Sequence, residues 1–375
     1  MTVGGRGVLV GLVLCVGARG AAAQTATLTP LPASDAVTVR GFVLASGYWN
    51  GNDPPSKLNG LHVFDYKTNQ LVFDVADVAF AREAVHRGEV GFHFEVEAGE
   101  TVPMVTAAAG LFRNDVTGQA GHVDVPEAYV RYLAPVGTGL QIDGGKFLAP
   151  LGYENIESRD RIQDNASRSI LFAFATPMTL TGLRVGYTAS PLISAQALVV
   201  TGWDRVTDQQ SSPTYGGQVE LTPTPRLSLA LGVLTGPEQR DDTRDIRTVF
   251  DLILSWQIST TTRFALNADE GREDHASPTG GLGNWHGYAA YLHHDLSPRV
   301  AVSVRGELFH DVNGARTGVS QQLGEVTVTP TVRVREWLTL RSELRVDDSS
   351  ARIFQSSTGP QRTQVTAALN ALVTF

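Results

Sequence analysis

In residues 299–309, Val300, Val302, Val304 and Leu308 alternate with Ser303, Arg305 and Glu307. The pattern returns in 324–334, where Val326, Val328, Val332 and Val334 oppose Glu325, Thr327, Thr331 and Arg333. It returns in 337–347, where Leu338, Leu340, Leu344 and Val346 oppose Thr339, Arg341, Glu343 and Arg345. Near the start, Val90, Phe92, Phe94 and Val96 oppose His93, Glu95 and Glu97. Successive side chains of a strand point to opposite faces, so each run has one apolar face and one charged face. Two architectures accept such runs. A soluble sandwich or lectin would bury the apolar face and wet the other. A transmembrane barrel would turn the apolar face to lipid and the charged face to its lumen.

Repetition and loop sorting favour the barrel. About sixteen runs extend from 39–49 to 364–375, most close to the ten residues that a tilted membrane strand needs. Their connections alternate short and long. Outer-membrane barrels have short periplasmic turns and longer external loops, and an even strand count leaves both termini on the periplasmic side. An Arg facing mid-bilayer lipid costs roughly 2–4 kcal/mol, so the charged faces must look inward. Closure leaves no unpaired edge, which lipid would not tolerate. The expected fold is all-β, a closed antiparallel transmembrane β-barrel of about 16 strands with a long third outer loop folded inward.

Residues 1–23 read as a secretory signal peptide. Arg6 gives a positive start, 8–16 an apolar core, and Ala21, Ala22 and Ala23 a small-residue cleavage site. Residues 24–38 then form a short mobile periplasmic N-terminus, and 39–375 the barrel. Cys15 is the only cysteine and leaves with the leader, so the mature chain has no thiol chemistry. The leader also takes Arg6 and Arg19 but no acid, which makes the formal charge of −8 more negative. A basic nucleic-acid surface is therefore excluded. No run of about twenty apolar residues is present for a helical span. A mean hydropathy of −0.05 suits a barrel, in which only alternate residues meet lipid.

The connection 150–179 stands apart from this meander. It is polar, charged, turn-rich and roughly thirty residues long, and loops of that length are usually functional. It is expected to narrow the lumen, with Tyr153, Glu154, Glu157, Arg159, Asp160, Arg161, Asp164 and Arg168 as constriction residues. Across from it, Glu95, Glu97, Glu127, Arg305, Glu307, Arg333, Arg341, Glu343 and Arg345 are expected on the lumen wall. The arginines cluster on late strands, while Glu95, Glu97, Glu127 and Asp143 lie on early ones. The expectation is a basic sector facing an acidic sector, with a transverse field focused between low-dielectric walls.

Other features are read more plainly. His293 and His294 are adjacent on a strand and point apart, so no metal site is expected there. The acidic clusters Asp241, Asp242, Asp245 and Asp269, Glu270, Glu273, Asp274 match no calcium loop and read as solvated. Catalysis would need a nucleophile, a histidine and a carboxylate to converge, and no G-x-S-x-G segment is present. No cofactor is implied. Tyr48, Trp49, Tyr129, Tyr132, Tyr187, Trp203, Trp256, Trp285, Tyr288, Tyr291 and Trp337 lie mostly near run ends, which fits an interfacial aromatic girdle better than the alternative, a sugar-stacking slide. At the end of the chain, Val365, Ala367, Leu369, Ala371, Val373 and Phe375 share one face. The terminal Phe375 resembles the signal by which barrel insertion machinery recognises its clients.

One stretch carries a family resemblance. Gly145-Lys146-Phe147, a corner at 150–154, Ser167-Arg168-Ser169 before an apolar run, and Thr181-Gly182 before the next strand resemble the OmpL-like outer-membrane β-barrel porin family. The resemblance implies a porin without a defined substrate. The reading is a passive, water-filled diffusion channel in the cell outer membrane, passing small hydrophilic solutes by size exclusion and electrostatics. Its expected partners are outer-membrane lipid and lipopolysaccharide, the insertion machinery and further copies of itself. The alternatives are a barrel enzyme of phospholipase or protease type, a structural or adhesion barrel, and a secreted lectin-like sandwich.

Overall fold

The structure, a computed structural model, describes residues 36–109, 111–113, 119–207 and 212–375. The signal peptide expected at 1–23 lies outside the described residues, as does most of 24–38. Sixteen strands follow one another: β1 (Thr38–Asn50), β2 (Gln70–Arg82), β3 (Val90–Ala98), β4 (Val123–Ala134), β5 (Leu140–Leu148), β6 (Thr179–Ser190), β7 (Ile193–Val200) and β8 (Thr214–Thr224). Then come β9 (Leu227–Pro237), β10 (Ile246–Gln257), β11 (Thr262–Glu273), β12 (Gly283–Ser297), β13 (Val300–Asp311), β14 (Gln321–Arg335), β15 (Leu338–Ser349) and β16 (Thr363–Thr374). Two short helices interrupt them, α1 (Val102–Ala109) and α2 (Ile170–Phe174).

Neighbouring strands pair antiparallel, and β1 pairs with β16, so the sheet closes on itself. Closure places every strand between two partners, the condition that a sheet must meet in hydrocarbon. At the seam, Phe375 N donates to Gly41 O (3.0 Å) and Gly41 N to Phe375 O (3.1 Å). Gly41 is required there, because a Cβ would stand 2.3 Å from Asp77 O and 2.6 Å from the Phe375 ring. The long connections all fall at one end: L1 (51–69), L2 (99–122), L3 (149–178), L4 (201–213), L5 (238–245), L6 (274–282), L7 (312–320) and L8 (350–362).

The faces divide as the alternation requires. Val304, Leu308, Val326, Val328, Leu344 and Val346 are exposed on the outer wall. Arg305, Glu307, Glu325, Arg341, Glu343 and Arg345 are buried inside. One irregularity shapes the inner wall. Pro126 has no N–H for the ladder, and the β3–β4 register shifts between Glu95 and Glu97. Asp124 and Val125 are both buried there, and Lys146 Nζ donates to Val125 O (2.8 Å).

The interior departs from a simple water-filled tube. Phe147, Leu151, Tyr153, Ile170, Leu171, Leu198, Val200, Trp203, Leu234, Val249, Ile253, Trp285, Tyr291, Phe309 and Phe354 form one apolar cluster. It joins inward residues of β5–β7 and β9–β14 to L3, with Trp203 from L4 and Phe354 from L8. The girdle reading is thereby corrected in part. Trp49, Tyr132, Trp256, Tyr288 and Trp337 are exposed, as a girdle needs. Tyr48, Trp285 and Tyr291 are buried instead, because their strand phase turns them inward, and Trp203 is buried from L4, just past the end of β7.

The outward face carries a direct test. Leu344→Arg puts a cation into lipid near the middle of β15 and should cost roughly 2–4 kcal/mol in equilibrium unfolding from lipid vesicles. Leu344→Ala should cost less than the arginine variant, since it adds no charge.

Candidate functional site: the loop inside the barrel

L3 crosses the barrel interior and is held there by side chains of the wall. Its first turn lies on β10 and β11, where Gly152 N donates to Asp251 Oδ1 (3.1 Å) and Tyr153 N to Asn267 Oδ1 (3.0 Å). The Tyr153 ring packs 4.4 Å from that of Tyr291. Glu154 then accepts from Arg305 Nη1 (2.8 Å), and Glu157 from Arg341 Nη1 (2.9 Å). Arg168 reaches back across the loop to Glu157 (3.4 Å) and to Asn155 O (3.0 Å).

The tip spans the ring. Arg161 donates to Glu127 Oε2 on β4 (2.7 Å) and to Glu95 Oε2 on β3 (3.4 Å). Asp160 accepts from Arg40 on β1 (2.8 Å). Three residues beyond Arg161, Asp164 pairs with Arg263 on β11 and lies 3.4 Å from His293 Nδ1 on β12. β3 and β11 stand on opposite sides of the sixteen-strand ring. Arg159 is half-buried beside the tip and makes no ion pair among the described residues.

The return limb follows the late strands. Ala166 N and Ser167 N donate to Glu343 (2.7 and 2.9 Å). Ile170 N and Leu171 N, the first donors of α2, go to the two oxygens of Glu307 (2.7 and 3.1 Å). Ser169 Oγ caps the helix by accepting from Phe172 N (3.0 Å), as Ser does at helix starts. Trp285 Nε1 donates to Ala175 O at the far end of α2 (3.2 Å).

These contacts correct the expected transverse field. Arg305, Arg341 and Arg345 are only 0–1% exposed, so they do not face open water. Arg305 is shared by Glu154 and Glu325 (2.8 and 2.9 Å), Arg341 is held by Glu157, and Arg345 pairs with Asp347 (2.7 Å) and donates to Arg168 O (2.6 Å). The basic sector is compensated by L3 carboxylates, and the acidic one by Arg161. Arg333 stands apart at the short-turn end, bonded to Asp295 (3.0 Å). Glu97 is buried on the inner face of β3.

Some interior groups gave no recognisable sequence signal. His62, from L1, places Nδ1 2.6 Å from Asp65 and Nε2 3.0 Å from Asp347 on β15. Burial and the Arg345 charge push this imidazole down, but the two carboxylates outweigh them and hold it at about 9. His93, Glu95 and Glu127 bring their ligand atoms within 4.8 Å of one another, the spacing of a cation site. The Arg161 guanidinium already sits on both carboxylates. A detectable signal did exist for Trp285, Ala289 and Tyr291. They share a phase opposite to Tyr288 and Leu292, so β12 is apolar on both faces and had to be packed from within.

A closed sixteen-strand barrel with a loop across its lumen is porin architecture. Residues 36–375 match the family described as "Putative beta-barrel porin-2, OmpL-like", and the chain belongs to that family. Its role is that of a passive outer-membrane channel. Solved structures share the fold at low identity. The outer membrane channel DcaP of Acinetobacter baumannii is 11% identical, with a TM-score of 0.58 over 90% of this chain and 97% of that one. An anion-selective porin from Comamonas acidovorans is 11% identical, with a TM-score of 0.60 over 91% and 99%. OmpT of Vibrio cholerae in its trimer form is 9% identical, with a TM-score of 0.57 over 91% and 99%. No curated protein matches the chain.

Two predictions concern the loop anchors. Arg305→Met leaves Glu154 and Glu325 buried without their cation and should destabilise the barrel by about 3–5 kcal/mol, read from urea unfolding. The second is pH-dependent. Burial pushes Glu157 up, but Arg341 and Arg168 outweigh it and hold the carboxyl below its ordinary value. A depressed carboxylate stabilises the folded state above its unfolded pKa, and that contribution is lost as pH falls through the lower, folded value. Hydrogen exchange of 155–165 should therefore stay slow at neutral pH and accelerate only below the ordinary glutamate range. Acceleration near neutrality would contradict this anchor.

Proposed function

We propose that the barrel passes small hydrophilic solutes by diffusion, without a chemical step, and that L3 sets its narrowest section. One observation carries this reading: Arg161 and Asp164, three residues apart in the loop tip, reach opposite walls of the ring. Solutes then pass beside the tip. Half-exposed Arg40, Asp160, Asp164, Arg263, Asp295 and Arg333 offer them both signs of charge. Size exclusion dominates, and ion preference is weak because the strongest charges are paired.

Several further elements belong to this reading. The leader is cleaved near Ala23, and residues 24–38 lie in the periplasm. Phe375 serves as the insertion signal, and the outer wall meets lipid and lipopolysaccharide. A homo-oligomer is proposed on the precedent of the similar trimeric barrel.

The test is single-channel recording in planar bilayers. Deleting 155–165 should raise unit conductance several-fold while the barrel still inserts. Unchanged conductance in an inserted barrel would show that L3 does not limit flow.

A further inference from the structure

We propose that the long-loop mouth of the barrel holds a binding site for a small organic carboxylate, centred on the Arg316 guanidinium between Trp203 and Trp285. The proposal uses the porin reading only to bring the ligand to this mouth. Arg316 Cζ lies 4.9 Å from the centre of the Trp203 ring and 5.1 Å from that of Trp285. The two indoles meet edge to face at 6.3 Å. Gly271 makes room for the Trp285 indole, since a Cβ there would come within 2.1 Å of its ring. Arg316 Nε donates to Phe174 O at the end of α2 (2.6 Å). The guanidinium is thus packed against two adjoining indoles and held at one edge.

Its remaining donors are unused. Among the described residues, neither Nη group makes a hydrogen bond, and no carboxylate oxygen lies within 4.0 Å of the guanidinium. The nearby acids accept from other donors, although Asp311 Oδ1 is left without a partner. Asp311 Oδ2 accepts from Arg316 N (3.0 Å), Thr317 N (2.6 Å) and Thr317 Oγ1 (2.8 Å). Asp204 accepts from Met178 N (2.8 Å) and Thr179 N (3.0 Å). Glu238 accepts from Trp203 N and Thr214 Oγ1 (2.8 Å each). Glu273 is held by Arg247 (2.8 Å), whose Cζ lies 4.8 Å from the Trp203 ring centre.

The cations press on one another. Burial first, then the Arg247 charge, pushes Arg316 down to about 10, despite Glu273, Asp204 and Asp311. Burial likewise lowers Arg205, with Arg113 and Arg247 adding to it although Glu238 and Asp204 oppose them. An arriving anion relieves this repulsion. A guanidinium presents parallel donors that match the two oxygens of a carboxylate.

The experiment titrates succinate into the detergent-folded full chain and follows tryptophan fluorescence at constant ionic strength set with chloride. Folding of each variant is checked by heat-modifiable gel migration. The expected result is a saturable change whose midpoint rises at least ten-fold in Arg316→Gln. Arg316→Lys, which keeps the charge without the fork, should fall between the two. A non-saturating wild type, or equal midpoints in folded variants, overturns the site. Equal or tighter saturation with inorganic phosphate overturns the carboxylate assignment. Planar-bilayer conductance of the same preparation separates this site from the porin reading. Current without saturation removes the site alone, and saturation without current removes the channel alone.

Discussion

A fully buried arginine inside a membrane barrel is tolerable only if carboxylates come to it, and Arg305 is such a residue. Removing a cation from water costs several kcal/mol after relaxation, and only close, well-oriented partners offset that cost. Arg305 finds them on its own wall in Glu325 and on L3 in Glu154, with Ser167 O as a further acceptor (3.0 Å). The dependence is mutual. Without the loop the wall keeps unpaired guanidinium donors, and without the wall the loop has no fixed path. Arg341 with Glu157 repeats the arrangement one strand pair further round.

L3 succeeds as an internal element because its two limbs suit different walls. Residues 154–168 are rich in charge and meet β13, β15, β3 and β4, whose inward positions are charged. Residues 170–175 are apolar and meet β12, whose inward Gly287, Ala289 and Tyr291 are small or aromatic. Burying Ile170 and Leu171 there removes apolar surface from water, roughly 1.5–3 kcal/mol for each such side chain. The two limbs therefore hold the loop by different physics. Acid weakens the charged limb but leaves the apolar one largely intact, while salt screens these buried pairs little.

Strand positions and faces were legible because lipid enforces them. A charge on the outer face is expensive at every strand, so alternation in 299–309, 324–334 and 337–347 reported both register and direction. The inward course of L3 was legible from its length and position. Its partners were not, since an ion pair such as Arg341–Glu157 joins residues far apart in sequence and leaves no local pattern. The same limit produced the wrong picture of separate basic and acidic sectors. Residues on the wall can be counted from sequence, but the loop charges that cancel them cannot be placed. Trp285 failed differently. Proximity to a strand end suggested an interface, while strand phase, which decides the face, pointed inward; Trp203 lies in L4, where no strand phase marks the face.

Pairing of the strongest charges has a consequence for selectivity. A field in the lumen comes from what is left after each buried cation has found its carboxylate. At the tip, Arg161 with Glu95 and Glu127 leaves excess acid, whereas Arg263 with Asp164 is balanced. At the short-turn end Arg333 with Asp295 is balanced too. At the long-loop mouth Arg316 has no carboxylate oxygen within 4.0 Å, and Glu273, Asp204 and Asp311 act on it from further away. On the proposed mouth site, a passing solute meets Arg316 at entry and the Glu95–Glu127 pair near the tip, so the contrast runs along the axis rather than across it. An anion would pause at the mouth and a cation at the constriction. Ion preference measured from opposite sides of the membrane then reports which of these two steps limits flow.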